Sequence, residues 1–126
     1  MGYIIVDTSS ILFGLENKVD IFKEADSKLG LSPIISKGVV MELTKISSSK
    51  RQDRKYAIMA LKLIAEQKVK IESDTAYVDE WIIRAATKYG NVCTNDTKLR
   101  KALKSKGVSI YSVSMGGSLR YVRAGP

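Results

Sequence analysis

Histidine is absent from this 126-residue chain, and that single omission excludes a large share of enzyme chemistry. Without imidazole there is no Ser-His-Asp or Cys-His nucleophilic machinery, no histidine acid/base pair and no conventional zinc site. Cysteine is nearly absent as well. The one thiol, Cys93, sits in the apolar run Val92-Cys93-Thr94, so disulfide stapling is excluded and a buried, unreactive thiol is expected. No run approaches the roughly 18 apolar residues needed to span a bilayer, and the N-terminus lacks the basic and apolar regions of a secretory signal. The expected location is therefore the cytoplasm, with no membrane association. Acids are missing from one whole region: Thr97 to Pro126 holds seven Lys or Arg and neither Asp nor Glu.

What is present is the composition of one soluble globular domain, 44% apolar and 27% charged, with a formal charge of +8. A one-signed basic block suits a polyanion, for which RNA or DNA is the obvious candidate, while the plainer reading is a solvated basic face. Any metal in a chain without histidine must be held by oxygen ligands, which favours Mg²⁺ or Mn²⁺.

The chain opens on Tyr3-Ile4-Ile5-Val6, a run expected to form a strand buried on both faces, with Asp7 and the hydroxyls Thr8, Ser9 and Ser10 directly after it. Asp7 has two readings, an N-cap for the following helix or a carboxylate pointing into the crevice at the carboxyl end of a parallel sheet. After a hydroxyl-rich turn, helical spacing is expected over 19–29, closed by Gly30. A strand at 32–36 comes next, and then a second helix carrying Val39, Val40, Leu43 and Ile46. Glu42 lies at the margin of that helix's apolar stripe. An amphipathic helix spans 56–67, a minor or edge strand 69–71, and a further helix from about Thr75 to Tyr89 is ended by Gly90. On that last helix Asp79 lies at the edge of the apolar stripe and is the better placed to face inward, whereas Glu80 projects outward and is expected to pair with Arg84. Trp81 reads as core.

Asn91 to Thr94 is another short strand, and Asn95-Asp96 succeeds it in the manner of the first strand and Asp7. The next helix buries Leu99 and Leu103 and displays Lys98, Arg100, Lys101 and Lys104, a basic wall for a nucleic-acid groove. A last strand at 108–113 completes a domain over 1–113, and 114–126 reads as a basic tail free to remain flexible, its Arg120, Tyr121 and Arg123 able to touch single-stranded RNA. Alternating β and α elements imply a three-layer α/β/α sandwich around a mainly parallel sheet of four to five strands, with right-handed crossovers. Asp7 and Asp96, each at a strand end, would then meet at one sheet edge, with Glu42 and Asp79 placed to join them. Four acids gathered together repel one another unless a divalent cation neutralises them, and such a site suits phosphodiester hydrolysis.

Asp7-Thr8-Ser9 at the end of the first strand, Glu42 in the second helix, Asp79 followed by Ile82-Ile83, Ala85-Ala86 and Gly90, and then Thr94-Asn95-Asp96, resemble a PIN domain in order and spacing along essentially the whole chain. The resemblance implies a metal-dependent ribonuclease selective for single strands. Asp7, Glu42, Asp79 and Asp96 would be its metal ligands, Ser9, Thr94, Asn95 and Glu80 its supporting residues, and cleavage by water would leave a 5′ phosphate and a 3′ hydroxyl. Two branches fit. One is the toxin of VapBC toxin–antitoxin pairs, commonly a dimer inhibited by its antitoxin. The other is the archaeal relative of nucleases that trim small-subunit ribosomal RNA and work with ribosome-assembly partners, which the pair Asp79-Glu80 favours and Lys98, standing where that branch often has an acid, does not. The competing classes are a catalytically weak RNA- or protein-binding module on the same fold, and phosphotransfer through an aspartyl phosphate. The latter lacks both a second Asp at position 9 and an acidic pair ahead of Asp7.

Overall fold

The computed structural model of the chain describes residues 2–116 and 118–123, with Arg123 described through its backbone alone. Its elements are β1 (Tyr3–Val6), α1 (Thr8–Glu16), α2 (Ile21–Leu29), β2 (Ser32–Ser36), α3 (Lys37–Ser47), α4 (Arg54–Glu66), β3 (Lys70–Glu72), α5 (Val78–Tyr89), β4 (Asn91–Cys93), α6 (Thr97–Leu103), β5 (Ser109–Val113) and β6 (Leu119–Arg123). The strands form one sheet in the order β3-β2-β1-β4-β5-β6. Every pairing is parallel except that of β5 with β6. Ile4, Ile5 and Val6 of β1 and Ile34 and Ile35 of β2 are fully buried, as a strand with helices over both faces requires. Right-handed crossovers place α1 to α4 on one face and α5 and α6 on the other, the expected three-layer α/β architecture. Gly30 and Gly90 close α2 and α5 with φ of 63° and 81°, the left-handed conformation that only glycine adopts without strain. No helix among the described residues is long and apolar enough to cross a membrane.

Three local features depart from expectation. The stretch after Asp7 is not a turn but helix α1, whose Ile11, Leu12 and Leu15 are buried. The sheet has six strands instead of four to five, because Leu119–Arg123, in the segment expected to form a tail, pairs antiparallel with β5. The hairpin is closed by the Ser114 amide donating to the Ser118 carbonyl at 2.9 Å, and Tyr121 meets Tyr111 edge to face at 5.3 Å. Residues 124–126 and the Arg123 side chain, part of the expected RNA-touching tail, lie outside the described residues. Finally, Arg84 pairs with Asp74 at 3.0 Å and not with Glu80, because the loop before α5 brings a better-placed carboxylate to the same guanidinium.

The chain's direction through the sheet decides where a ligand goes. From β1 it moves outward to β2 and β3, then returns across the sheet to β4 and β5. The crossing point lies between the carboxyl ends of β1 and β4, the place where open α/β sheets bind ligands. Asp7 stands there at the end of β1, and Thr94 at the end of β4.

Candidate active site

Asp7 is only 4% exposed, and the capping reading of it holds. Its Oδ1 accepts the Ser10 amide at 2.8 Å, capping α1, while its Oδ2 accepts the Thr94 hydroxyl at 2.5 Å across the strand boundary. Burial pushes its carboxyl above the usual aspartate range. The bonds from Thr94 and Ser10 pull it back in part, and the charge of Asp79 raises it further. Thr94 is itself fully buried and serves two carboxylate-bearing segments, since its hydroxyl also accepts the Asp96 amide at 3.0 Å.

Glu42 comes in from α3. Glu42 is exposed overall, but partial desolvation of its carboxyl raises it, as do the charges of Asp79 and Asp7, against the lowering effects of Thr8 and Arg51. The Thr8 hydroxyl lies 3.4 Å from each Glu42 oxygen, bridging α1 and α3 through long hydrogen bonds. Asp79, expected to face inward, is exposed like Glu80, because the first turn of α5 on the opposite face of the sheet buries Val78 and Trp81 instead. The charge of Asp79 thus acts on both Asp7 and Glu42, and that of Asp7 on Glu42, so three elements contribute to one electrostatic neighbourhood.

Asp96 behaves differently. Like Glu42 and Asp79 it is exposed, but its Oδ1 accepts the amides of Lys98 and Leu99 at 2.8 and 3.2 Å, so it is the N-cap of α6. It stands on the rim, joined to Asp7 through Thr94 and not through shared charge. Asn95 pins this loop to the sheet, its amide donating to the Val113 carbonyl at 2.9 Å and its oxygen accepting the Val113 amide at 2.8 Å. Ser9 and Glu80 are exposed and make none of these hydrogen bonds. Among the basic residues, Lys98, Lys101 and Lys104 are exposed, whereas Arg100 braces the same loop by donating from Nε to the Thr94 carbonyl at 3.2 Å.

Two neighbours of the acids carry no clear signal in the sequence. Thr8 looks interchangeable with the adjacent hydroxyls, but its placement on the first turn of α1 aims it at Glu42. Arg51 lies in a basic stretch with no periodicity to orient it. It shares a cleft of about 270 Å³ with Glu42, Lys45, Ile46 and Ser49, and Asp53 holds its guanidinium through bonds of 3.0 and 2.7 Å. Another acid at a strand end, Glu72, is committed elsewhere: it accepts the Trp81 indole at 3.0 Å and the Tyr89 hydroxyl, fastening α5 to β3. Cys93 is fully buried beside Asp7, and burial lifts its thiol to about 12, which makes it the inert group expected.

Among the described residues, no three acid or thiol side chains are drawn close enough to hold a metal ion by themselves. The donor set is nevertheless all oxygen, and Asp7 and Glu42 are carboxylates whose charge is left incompletely compensated by desolvation and by neighbouring acids. An ion such as Mg²⁺ fits these conditions, because it keeps several waters and is commonly held by only one or two carboxylates.

Comparison with known proteins bears on the family and the fold. The sequence profile of the family described as "PIN like domain" matches residues 4–114. Ribonuclease VapC9 of Archaeoglobus fulgidus is 34% identical over 109 residues, which cover 84% of this chain and 78% of that protein. A solved structure of the PIN domain endonuclease Utp24 superposes with a TM-score of 0.78 at 25% identity, covering 98% of this chain and 92% of that one. A domain of a functionally unknown protein from Methanocaldococcus jannaschii shares the fold, with a TM-score of 0.62 at 18% identity over 90% of this chain and 92% of that one.

Proposed function

We propose that this chain, which belongs to the PIN-like domain family, is an Mg²⁺- or Mn²⁺-dependent endoribonuclease that hydrolyses phosphodiester bonds in single-stranded regions of RNA. What supports the reading is that Asp79 acts by its charge on both Asp7, at the crossing point of the sheet, and Glu42, in a chain whose net charge is +8. Carboxylates on such a protein would repel the phosphates of RNA unless a cation stood between them.

In this reading Asp7 is the central ligand, with Glu42 and Asp79 around it and Asp96 contributing from the rim through the oxygen its cap leaves free. Bound there, the cation would supply Lewis-acid stabilisation of phosphate charge and a more acidic water. The chain's own work is positional. Thr94 and the Ser10 amide fix the Asp7 carboxylate, Thr8 steadies Glu42, and Asn95 and Arg100 hold the loop that carries Thr94 and Asp96. Lys98, Lys101 and Lys104 on one side and Arg51 and Lys45 on the other offer positive charge to the backbone of the strand. No side chain is needed as a covalent nucleophile.

Two cellular settings fit, and each has an observation behind it. The likeness to Ribonuclease VapC9 favours a toxin held in check by a separate antitoxin chain, with a homodimer able to align two basic grooves. The adjacent acids Asp79 and Glu80 together with the basic 97–126 region favour processing of ribosomal RNA alongside assembly partners. The deciding assay is cleavage of an end-labelled, partly single-stranded RNA in EDTA, Mg²⁺ or Mn²⁺, with Asp7→Asn in parallel. Metal-dependent cleavage lost in the variant is the expected result. RNA binding without cleavage under any metal would instead make the chain a binding module that has kept the fold.

A further inference from the structure

We propose that Tyr77 is a stacking platform for a nucleobase of the bound RNA strand, and thereby the residue that makes the site select unpaired RNA. The inference rests on the nuclease reading above and adds a substrate contact to it.

Three observations converge on this residue. The first is its isolation. Each of the other five tyrosines has a ring or cation contact: Tyr3 with Tyr89 and Lys70, Tyr111 with Tyr121, Tyr56 with Lys55. Tyr77 is 82% exposed, and among the described residues its ring has no such partner.

The second is that Tyr77 breaks a local rule. It occupies the N-cap of α5, where Ser, Thr, Asp or Asn would satisfy a free amide, and its side chain makes no capping bond. Thr75 and Asp74 stand just upstream, so a capping side chain was within easy reach of the sequence. A bare aromatic ring in place of a cap is unfavourable twice over, and such departures from local consistency are expected at functional positions.

The third is location on a rigid base. The segment from Ser73 to Tyr77 leaves the carboxyl end of β3, so it lies along the same sheet edge as Asp7 and Thr94, and Asp79 comes two residues later. The loop is tied down at several points. The Gly38 amide donates to the Asp74 carbonyl at 3.1 Å, the Asp74 carboxylate accepts the Ala76 amide at 2.9 Å, and Arg84 pairs with that same carboxylate at 3.0 Å. The Ala76 carbonyl rests so close to Gly38 that a Cβ there would stand 2.7 Å from it, which accounts for a glycine in the first turn of α3. A solvent-facing ring on an anchored loop, along the sheet edge that carries the acids, is suited to receive a base whose face is open. Every base has such a face, so the contact favours unpaired strands without reading sequence.

The test uses a fluorescently labelled single-stranded oligoribonucleotide, binding measured in EDTA and cleavage measured with Mg²⁺ or Mn²⁺. Wild type, Tyr77→Ala and Tyr77→Phe are compared on the intact oligonucleotide and on a set carrying one abasic position at a time. Tyr77→Ala is expected to bind roughly ten- to a hundredfold more weakly, the range for loss of one stacked base, and Tyr77→Phe within about twofold of wild type. Removing one particular base should cost wild type about the same factor and cost Tyr77→Ala nothing further. If Tyr77→Ala binds and scans like wild type while metal-dependent cleavage persists, the platform is refuted and the nuclease reading stands. Weakened binding with no position at which the abasic penalty differs between the two proteins also refutes stacking. Wild type that neither binds nor cleaves would remove the nuclease reading and this inference together.

Discussion

The two strand ends that meet at the middle of the sheet carry the same kind of sequence, an apolar run leading to a hydroxyl and a carboxylate ahead of a helix, yet they use their carboxylates in opposite ways. Asp7 is 4% exposed and shares its electrostatic surroundings with Asp79 and Glu42, whereas Asp96 is exposed and caps α6. Register explains the difference. Val6 stands opposite Cys93, so the next residues, Asp7 and Thr94, face one another, and Asp96 falls two residues farther out. The in-register counterpart of the buried acid is a buried hydroxyl that donates to it. One strand end supplies charge, and the other supplies the group that holds that charge in place. Two carboxylates at this level would have repelled each other within a single buried pair of positions.

The largest effect that would break this asymmetry is expected at Asp7. Asp7→Asn should lose essentially all metal-dependent cleavage while keeping the α1 cap, since the amide oxygen still accepts the Ser10 amide and its NH₂ can donate to Thr94. A carboxyl whose pKa is higher in the folded chain than in the unfolded one favours folding at low pH, and that contribution is lost as pH rises through the folded value. In EDTA at pH 7 the variant should therefore melt higher than wild type, by roughly 2–6 °C for about 1 kcal/mol. The advantage should shrink toward pH 4 and vanish below it, near the ordinary aspartate range. Thermal scans across that range would reveal it, and a variant that melts lower at pH 7 would mean that the charged form is stabilised after all.

Thr94→Val tests the other half of the pair with a smaller effect on chemistry. It strips Asp7 Oδ2 of its donor and the Asp96 amide of its acceptor without changing shape much. Loss of such an outer partner typically costs roughly ten- to a hundredfold in metal affinity or activity, and the stranded buried groups about 1–3 kcal/mol of stability. Titration of cleavage against Mn²⁺ should show the midpoint moving to higher metal. An unchanged midpoint would reduce Thr94 to a structural residue.

How much of the molecule is legible in its sequence depends on what each residue's role requires. Ile4, Ile5 and Val6 announce a doubly buried strand by themselves, and Gly30 and Gly90 announce helix ends, because both signals are local. The family resemblance carried by Asp7, Asp79 and Thr94-Asn95-Asp96 is equally visible, since it needs only order and spacing. Helix α1 is half legible: Asp7 reads as the cap of a following helix, while Thr8, Ser9 and Ser10 have the composition of a turn. Strand β6 is hidden because its partner β5 precedes it across a glycine-bearing segment that resembles a tail. Thr8 at Glu42, Arg51 beside it, and Arg84 on Asp74 depend on how α3 leans over α1 and how the Ser73–Tyr77 loop returns. Those are relations between elements, and no periodicity within a single element reports them.

The smallest effect sharpens the comparison at Asp96, where the cap and the proposed ligand role can be separated. Asn is as good an N-cap as Asp, so Asp96→Asn removes the charge and leaves α6 intact, whereas Asp96→Ala removes both. Melting temperature should thus be unchanged in the first variant and reduced in the second by the equivalent of about 1 kcal/mol. Cleavage should fall by about tenfold in both, because an acid on the rim supplies only part of the cation's holding. If Asp96→Asn cleaves as wild type does while Asp96→Ala is merely less stable, Asp96 is a helix cap and nothing else. The working acids would then be the three that the fold brings into one neighbourhood, and the likeness between the two strand ends would be confined to their sequence.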